Sequence, residues 1–335
     1  MRLLITGASG FLGGRLAQML AGAESFRGID ESREVVVLAR KTSDLRHLNG
    51  LPIKVVEGDL TDQASLELAM AGVTHVFHCA ACSTDWALWT TYYAANVTGT
   101  EKLLAAALRC STLERFVHVS TTDVYGYPTV PCDESHEPVD AGLPYNQTKR
   151  LGELAVWAAH RSQGLPVTIV RPATIYGPRG KDFTVEVATM LRQRLMLTIN
   201  GGRVAGGFAY VDNVAEAMIA AAVSPATIGQ AYNLADGSCA SWSKYLALFA
   251  EALGCAKPWL DLSFANATRL ARVLEIPHRL LKLSGRPLLT RHAVILLGVS
   301  QEFPIGKAQR EFGFDPKVSL EEGISRSASW LRARK

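Results

Sequence analysis

The sequence lacks the features of membrane-spanning, disulfide-linked and nucleic-acid-binding chains. No apolar run reaches the length that a bilayer-spanning helix needs. The six cysteines are scattered through 335 residues, a pattern typical of reduced thiols, so we expect a cytoplasmic protein. A formal net charge of +4 is too small to indicate nucleic acid as a partner. Strand-like sequence begins at residue 3, so we expect no signal peptide.

A strand, a glycine turn and a helix follow one another in the first fourteen residues, MRLLITGASGFLGG. Residues 3–5 form a short apolar run that predicts a buried parallel strand. Gly7, Gly10 and Gly13 come next, and helical periodicity continues over residues 11–20. Such glycines allow a tight turn and a close approach to a pyrophosphate, which the helix N-terminus can bind. The order favours a dinucleotide site over the alternative of a plain turn.

The end of the second predicted strand has no acidic residue. This strand covers residues 35–38 and is followed by Ala39, Arg40 and Lys41. Sites specific for NAD carry an Asp or Glu here, which accepts hydrogen bonds from the ribose 2′-hydroxyl and would repel a 2′-phosphate. With Ala39 in that place and two cations after it, the sequence favours NADP (NADPH) over NAD. The alternative is that both cations belong to a solvated loop.

Further apolar runs predict a doubly wound parallel sheet, because strands and helices alternate along the chain. These runs lie at residues 53–56, 73–79, 116–119 and 167–170. Asp59 follows the third strand, where its carboxylate would meet the adenine amino group, and Cys79 ends the fourth. Small residues after Cys79 would let the backbone lie against the cofactor. A metal or redox site at Cys79 and Cys82 is disfavoured, since the sequence offers no second ligand cluster.

A tyrosine and a lysine four residues apart carry the predicted chemistry. Tyr145 and Lys149 fall in one helical segment, where residues four apart share a face. A free tyrosine has a pKa near 10, too high for a base at neutral pH. Lys149 one turn away, together with an oxidised nicotinamide, would favour the phenolate. We therefore expect hydride transfer with Tyr145 as acid or base.

Eight motifs together resemble the extended short-chain dehydrogenase/reductases. In chain order they are TGASGFLGG at 6–14, GDL at 58–60, HCAA at 78–81, NVTGT at 96–100, VSTTDVYG at 119–126, YNQTK at 145–149, RPATIYGP at 171–178 and FAYVDNVAEAM at 208–218. The resemblance implies a Rossmann doubly wound sheet with a smaller, discontinuous C-terminal substrate-binding lobe. The implied NADP-binding domain covers residues 1–171 plus about 207–233. The implied substrate-binding domain covers about 172–206 plus 234–335.

The resemblance also implies roles for individual residues. Tyr145 would exchange a proton with the substrate oxygen, Lys149 would hold the nicotinamide ribose, and Thr121, or alternatively Thr122, would hydrogen-bond the substrate carbonyl. Asn96 would be tied to the active-site helix and a proton relay. No metal is expected. The implied cofactor-binding residues are Gly7, Ser9, Gly10, Phe11, Leu12, Gly13, Arg40, Lys41, Asp59, Leu60, Cys79, Ala80, Ala81, Asn96, Tyr145, Lys149, Pro172 and Thr174.

The branch of the family is indicated by what two motifs lack. Dehydratases carry Asp-Glu after the catalytic Thr, where this chain has Thr122-Asp123. Nucleotide-sugar enzymes usually have an Arg just before the aromatic residue of FAYVDN, where this chain has Gly206-Gly207. The tail, residues 286–316, resembles the 3β-hydroxysteroid dehydrogenase-like branch, whose members act on hydrophobic alcohols or ketones.

We therefore expect an NADP(H)-dependent oxidoreductase that interconverts a secondary alcohol and a ketone on a small hydrophobic substrate. A nucleotide-sugar epimerase or dehydratase and a non-catalytic NADP-binding regulator are the alternatives. Family members often pair through the helices that include the Tyr-x-x-x-Lys helix, so a homodimer is expected. Asp212 is expected to cap or brace a helix start rather than to join catalysis.

Two further segments are placed near the pocket by the resemblance. Trp86 and Trp89 are expected to add aromatic surface at its mouth. Residues 263–284 form a basic amphipathic stretch that we interpret as a lid helix interrupted at Pro277, or alternatively as a peripheral membrane contact. Its alternating residues are Leu270, Val273, Leu274, Leu280 and Leu281 with Arg269, Arg272, Arg279 and Lys282.

Overall fold

A parallel sheet of seven strands forms the centre of the computed structural model, which describes residues 1–281, 283 and 285–334. Lys282 and the side chain of Arg279, two cations of the amphipathic stretch, lie outside what is described. The strand order is β10-β6-β5-β4-β1-β2-β3. The strands are β1 Arg2–Thr6, β2 Glu34–Ala39, β3 Ile53–Glu57, β4 His75–His78, β5 Arg115–Val119, β6 Val167–Pro172, β7 Thr174–Tyr176, β8 Leu197–Ile199, β9 Phe208–Tyr210, β10 Gln230–Leu234 and β11 Leu260–Leu262.

Helices cover both faces of this sheet, so the predicted doubly wound fold is confirmed. The α-helices are α1 Phe11–Ala21, α2 Gln63–Met70, α3 Trp89–Tyr93, α4 Gly99–Leu108, α5 Pro144–Gln163, α6 Val187–Arg192, α7 Val211–Val223, α8 Trp242–Leu253, α9 Phe264–Leu280, α10 Arg291–Gly298, α11 Gly306–Phe312 and α12 Leu320–Ala333. A π-helical turn, Ala94–Thr98, joins α3 to α4. No helix in the described part of the chain has the length and hydropathy needed to span a bilayer.

The alternation of side chains along each strand explains why both faces are covered. Leu3 and Ile5 belong to the apolar cluster under α1 and α7, whereas Leu4 belongs to the cluster under α2, α4 and α5. All three side chains are fully buried. Successive residues of a strand point to opposite faces, so an uninterrupted apolar run serves a strand buried on both sides.

The segment from β9 to α7 packs against α1 of the Rossmann sheet. Nε of Arg15 donates to Oδ1 of Asp212 at 2.7 Å, and NH2 donates to Oδ2 at 3.0 Å. Asp212 accepts no hydrogen bond as a cap of α7. Of the two expected roles for Asp212, the structure therefore gives the brace. The boundaries of the two lobes stay a prediction.

A smaller apolar cluster lies beyond the carboxyl ends of the main strands. It joins β8 to the helices α9 and α10 through Leu197, Ile199, Ala267, Ala271, Leu289 and Val294. Helix α9 runs through Pro277 to Leu280, so the expected interruption at Pro277 is wrong. The helix packs Ala267 and Ala271 inward, and both are fully buried.

Candidate active site

One cavity of about 1210 Å³ lies at the carboxyl ends of the parallel strands. It extends from Gly7 and Arg40, past Tyr145, to Leu270 and Leu297 in the helices beyond β8. Crevices at this edge of an open α/β sheet are where such folds bind their ligands. The cavity thus joins the predicted cofactor site and the predicted substrate site in one space.

The glycine turn forms the cofactor end of this cavity and leaves no room for side chains. Gly7 has φ of +75°, and a Cβ there would lie 2.6 Å from the backbone nitrogen of Ala80. A Cβ on Gly13 would lie 2.6 Å from the carbonyl oxygen of Gly7. Gly10 precedes α1 without a side-chain cap, so the first N–H groups of that helix stay available for an anion. These features fit a bound dinucleotide.

At the end of the cavity expected to hold the adenosine, Arg40 and Ser43 lie where an NAD-specific site would have an acidic residue. Arg40 and Ser43 line the cavity, and a turn brings them together, since the Ser43 amide donates to the Arg40 carbonyl at 2.8 Å. Lys41 does not line it and is exposed to solvent. Oδ1 of Asp59 accepts from the amide and hydroxyl of Thr61, and these bonds lower the pKa of Asp59. The sequence prediction had missed Ser43.

The remaining predicted cofactor residues, with the exception of Asn96, also line the cavity. They are Ser9, Phe11, Leu12, Leu60, Cys79, Ala80, Ala81, Tyr145, Lys149, Pro172 and Thr174. Burial raises the pKa of the Cys79 thiol to about 12, and the same cause raises the pKa of Cys82. Thiols held protonated in this way are poor metal ligands.

Tyr145, Lys149 and Thr121 meet at the middle of the cavity. Tyr145 and Lys149 both lie on α5, one turn apart, as the spacing predicts. Nζ of Lys149 donates to the carbonyl of Val119 at the end of β5 at 2.6 Å, and burial lowers the pKa of Lys149 to about 8. The side chain of Thr121 is near enough to Tyr145 to lower the pKa of the tyrosine. The three predicted catalytic groups are therefore held by two elements, α5 and the end of β5.

The expected phenolate is not what these surroundings favour. Burial raises the pKa of Tyr145, and the neighbouring Asp123 raises it further, while the Thr121 side chain opposes both. Nζ of Lys149 donates one hydrogen bond, to the Val119 carbonyl. The protein surroundings alone therefore raise the pKa of Tyr145, and the effect expected of an oxidised nicotinamide stays a prediction.

Asn96 lies behind the cavity rather than in it, which corrects its predicted place among the catalytic and cofactor-binding residues. Its Oδ1 accepts from the amide of Cys82 at 2.8 Å. Its Nδ2 donates to the Cys82 carbonyl at 3.1 Å and to Oγ1 of Thr148 at 3.1 Å. The side chain is buried and ties the loop after β4 to α5. The expected link to the active-site helix is present, but every polar atom of the amide is used in making it.

A buried histidine that is not among the predicted site residues lies beside Tyr145. Nε2 of His292, from the first turn of α10, lies 2.9 Å from Oδ2 of Asp123, and the Tyr127 hydroxyl donates to the same oxygen at 2.9 Å. The His292 and Tyr145 rings are 5.8 Å apart. Because His292 follows Tyr145 by more than 140 residues, no local pattern links them; a lone polar ring in the apolar run of α10 is the only signal.

Apolar side chains form most of the other end of the cavity. They are Phe183, Met190, Leu195, Met196, Leu197, Trp242, Trp259, Leu270, Leu274, Leu288, Leu289, Leu296 and Leu297. The expected Trp86 and Trp89 do not line it, which corrects that prediction. The ring of Trp86 lies 6.1 Å from that of His278, and the ring of Trp89 lies 5.9 Å from that of Tyr93.

The structure explains why no arginine precedes Phe208. Gly207 has φ of +58°, and a Cβ there would lie 2.9 Å from Cβ of Gln301. Phe208 is fully buried, stacked on Tyr245 at 4.2 Å. Arg286 lines the same end of the cavity, but it pairs with Glu186 at 2.7 Å and with Asp85 at 3.4 Å.

The motifs and the geometry agree with a comparison against protein-family models. The model described as the NAD dependent epimerase/dehydratase family matches residues 3–235. The chain belongs to this family. Members of this epimerase/dehydratase family bind a nicotinamide dinucleotide, and curated relatives named as reductases and dehydrogenases show that this chain is an oxidoreductase acting on CH–OH groups.

Curated relatives of this family member include reductases and dehydrogenases. A 2-alkyl-3-oxoalkanoate reductase of Stenotrophomonas maltophilia is 32% identical, and the alignment covers 97% of this chain and 98% of the relative. A 3β-hydroxysteroid-dehydrogenase/decarboxylase of Arabidopsis thaliana is 27% identical, with 99% and 80% covered. The predicted resemblance to the extended short-chain dehydrogenase/reductases and their 3β-hydroxysteroid dehydrogenase-like branch is thereby confirmed.

Solved structures confirm the fold. A dTDP-glucose 4,6-dehydratase of Streptomyces venezuelae, solved with NAD bound, superposes with a TM-score of 0.81 at 25% identity. The match covers 99% of this chain and 97% of that one. The solved structures that resemble this chain therefore include an enzyme named for a nucleotide sugar. The substrate of this chain has to be argued from its own site.

Proposed function

We propose that this chain is an NADPH-dependent reductase that converts a hydrophobic ketone to a secondary alcohol. The observation that carries the proposal is the apolar end of the cavity, which begins next to Tyr145. The 32% identical relative named as a reductase of 2-alkyl-3-oxoalkanoates supports the same substrate class. So does the position of Tyr145 on the cavity lining, where its hydroxyl can donate a proton to a bound ketone.

The residues around the ketone divide the work of the reaction. NADPH, when bound along the glycine turn, supplies the hydride. Tyr145 donates its proton to the ketone oxygen as the carbon is reduced. The Thr121 hydroxyl, which lines the cavity beside Tyr145, holds that oxygen in line. Lys149 is fixed between α5 and β5, where its charge stabilises the tyrosinate left after the transfer.

Two observations oppose the epimerase or dehydratase alternative. The position before Phe208 is Gly207, which packs against Gln301, and Arg286 is paired with two carboxylates, so neither place supplies the expected cation; Lys181 and Arg194 line the cavity elsewhere. Asp123 takes the place of a dehydratase acid, but its Oδ2 accepts from Tyr127 and contacts His292. The regulator alternative is opposed by the assembled Thr121, Tyr145 and Lys149.

The substrate class is tested by NADPH oxidation with 3-keto compounds of rising chain length or ring number. Each methylene that enters the apolar end contributes about 0.8 kcal/mol, so kcat/KM is expected to rise about fourfold per carbon until the cavity is full. Leu274→Gln, inside the cavity, should flatten the series, whereas Leu68→Gln, on the exposed face of α2, should leave it unchanged. A flat response in the unmodified protein, with thermal stabilisation by a nucleoside diphosphate, would favour the epimerase alternative.

The cofactor preference is tested by comparing the binding of NADPH and NADH. Because Arg40 and Ser43 line the cavity and no acid follows β2, NADPH is expected to bind tighter by about tenfold to a few hundredfold. Arg40→Ala should remove most of this difference. Lys41→Ala is the matched control, since Lys41 does not line the cavity. Equal binding of the two cofactors by the unmodified protein would contradict NADPH preference.

A further inference from the structure

Ten of the exposed large apolar side chains belong to segments that border the cavity. We call this group the mouth patch; it comprises Leu195, Trp259, Leu260, Leu270, Val273, Ile276, Leu280, Leu281, Leu283 and Leu288. Exposure reaches 75% for Trp259 and 76% for Leu280. Single exposed leucines are ordinary, but a contiguous group marks a surface that contacts something apolar.

The mouth patch is continuous with the interior of the cavity. Five of its members, Leu195, Trp259, Leu260, Leu270 and Leu288, are exposed and also line the cavity. A molecule that leaves the apolar end therefore passes directly over the patch, and an apolar surface pressed on the patch would meet the open cavity.

Helix α9 is apolar on two faces, which separates the patch from ordinary core packing. Its inner face buries Ala267 and Ala271 against the cluster around β8 and α10. Its outer stripe exposes Val273, Ile276 and Leu280, which recur at the spacing of one helical face. Leu270 and Leu274 of the same helix line the cavity, so the lid interpretation stays open, while the outer stripe is without a partner in the described part of the chain.

The charge around the outer stripe is positive. Residues 257–288 contain six lysines and arginines, of which Arg286 pairs with Glu186 and Asp85, against two acidic residues, Asp261 and Glu275. Asp261 accepts from Thr198, and Glu275 pairs with Arg291. Arg269 and Arg272 are exposed on α9, and neither forms an ion pair with the residues that the structure describes. An apolar stripe flanked by arginines is typical of helices that lie in the headgroup region of an anionic bilayer.

We propose that the mouth patch docks on an anionic lipid surface, so that a hydrophobic substrate enters the cavity from the bilayer without crossing water. The docking follows from the exposed apolar residues and the positive charge; the passage of substrate rests on the proposed function. A second copy of the chain is the competing occupant, but it would bring the same excess of positive charge to the contact. An anionic bilayer instead complements that charge.

Co-sedimentation of the full chain with vesicles tests the docking. Vesicles of phosphatidylcholine with about 30% phosphatidylglycerol should bind the protein, and pure phosphatidylcholine should bind it more weakly. Val273→Asp with Leu280→Asp should lower the partition coefficient by more than about tenfold. Leu68→Asp, also on an exposed helix position, should leave binding unchanged. Arg269→Gln and Arg272→Gln should each lower the partition coefficient about fivefold on anionic vesicles only. Arg46→Gln, outside the mouth patch, is the control and should not change the partition coefficient.

Activity separates this proposal from the reductase itself. Val273 and Leu280 do not line the cavity, so the double variant should keep its turnover of a short, water-soluble ketone and lose turnover only of ketones presented in vesicles. Absence of vesicle binding by the unmodified protein, or equal loss in the Leu68→Asp control, would overturn the docking. So would a dimer that the Val273→Asp and Leu280→Asp changes convert to a monomer while vesicle binding persists.

Discussion

Replacing Tyr145 by phenylalanine is expected to lower ketone turnover by about a hundredfold to ten-thousandfold. The change keeps the ring, which packs 5.8 Å from His292, and removes the hydroxyl that Thr121 contacts. Steady-state NADPH oxidation measures the loss. The affinity for NADPH should change little, because Lys149 and the glycine turn remain, and a fluorescence titration of bound NADPH measures it.

Tyr92→Phe is the matched control for this experiment. Its ring lies 6.4 Å from Tyr145, but its hydroxyl donates to the carbonyl of Thr84 and Tyr92 does not line the cavity. The control should keep most of its turnover. Near-normal turnover of Tyr145→Phe would contradict the proposed role of the hydroxyl. Asp123 would then be the next candidate for the acid, although Tyr127 and His292 already occupy its Oδ2.

Local patterns in the sequence were sufficient for most of the nucleotide-binding half. Strands such as β2 are buried on both faces, so they consist of consecutive apolar residues that can be recognised in the sequence. The glycine turn is equally local, since Gly7, Gly10 and Gly13 fall within seven residues. Tyr145 and Lys149 share a turn of α5. In each case the residues that act together lie close along the chain.

Contacts between distant segments account for the predictions that were wrong. Trp86 was expected at the cavity, but packing near His278 draws it elsewhere, and residues of the C-terminal half supply the lining instead. His292 contacts Asp123, although the predicted domain boundaries place the two residues in different lobes. Asn96 lies in a π-helical turn, and no pattern in the sequence predicts that turn. Only the folded chain decides which of these side chains reach the cavity.

The pKa of Tyr145 also depends on contacts between segments that are distant along the chain. Spacing alone places Lys149 one turn away and suggests a lowered tyrosine pKa, but the spacing does not reveal what else the ammonium contacts. The ammonium of Lys149 donates to the Val119 carbonyl, while burial and Asp123 raise the pKa of Tyr145. The folded surroundings thus add effects on Tyr145 that the spacing of the two residues does not reveal.

A buried ion pair beneath the active site leads to the second large effect. Arg171, at the end of β6, pairs through NH2 and Nε with the carboxylate of Glu153 on α5, and the two residues are 3% and 1% exposed. NH1 of Arg171 also donates to the Tyr125 hydroxyl at 2.8 Å, which donates to Asn233 of β10. The network joins α5, which carries Tyr145, to two strands of the sheet.

Glu153→Gln is expected to lower the free energy of unfolding by about 3–5 kcal/mol, because it keeps the shape of the side chain but leaves the Arg171 charge buried without its counter-ion. Urea unfolding followed by tryptophan fluorescence measures this loss. Glu67→Gln is the matched control: its pair with Arg109 is half exposed, so the loss there should be at most about 1 kcal/mol. Replacing both partners, with Glu153→Leu and Arg171→Met, should restore part of the stability, since the Arg171 charge is no longer left buried without its counter-ion. Equal losses in Glu153→Gln and Glu67→Gln would contradict a structural role for this pair.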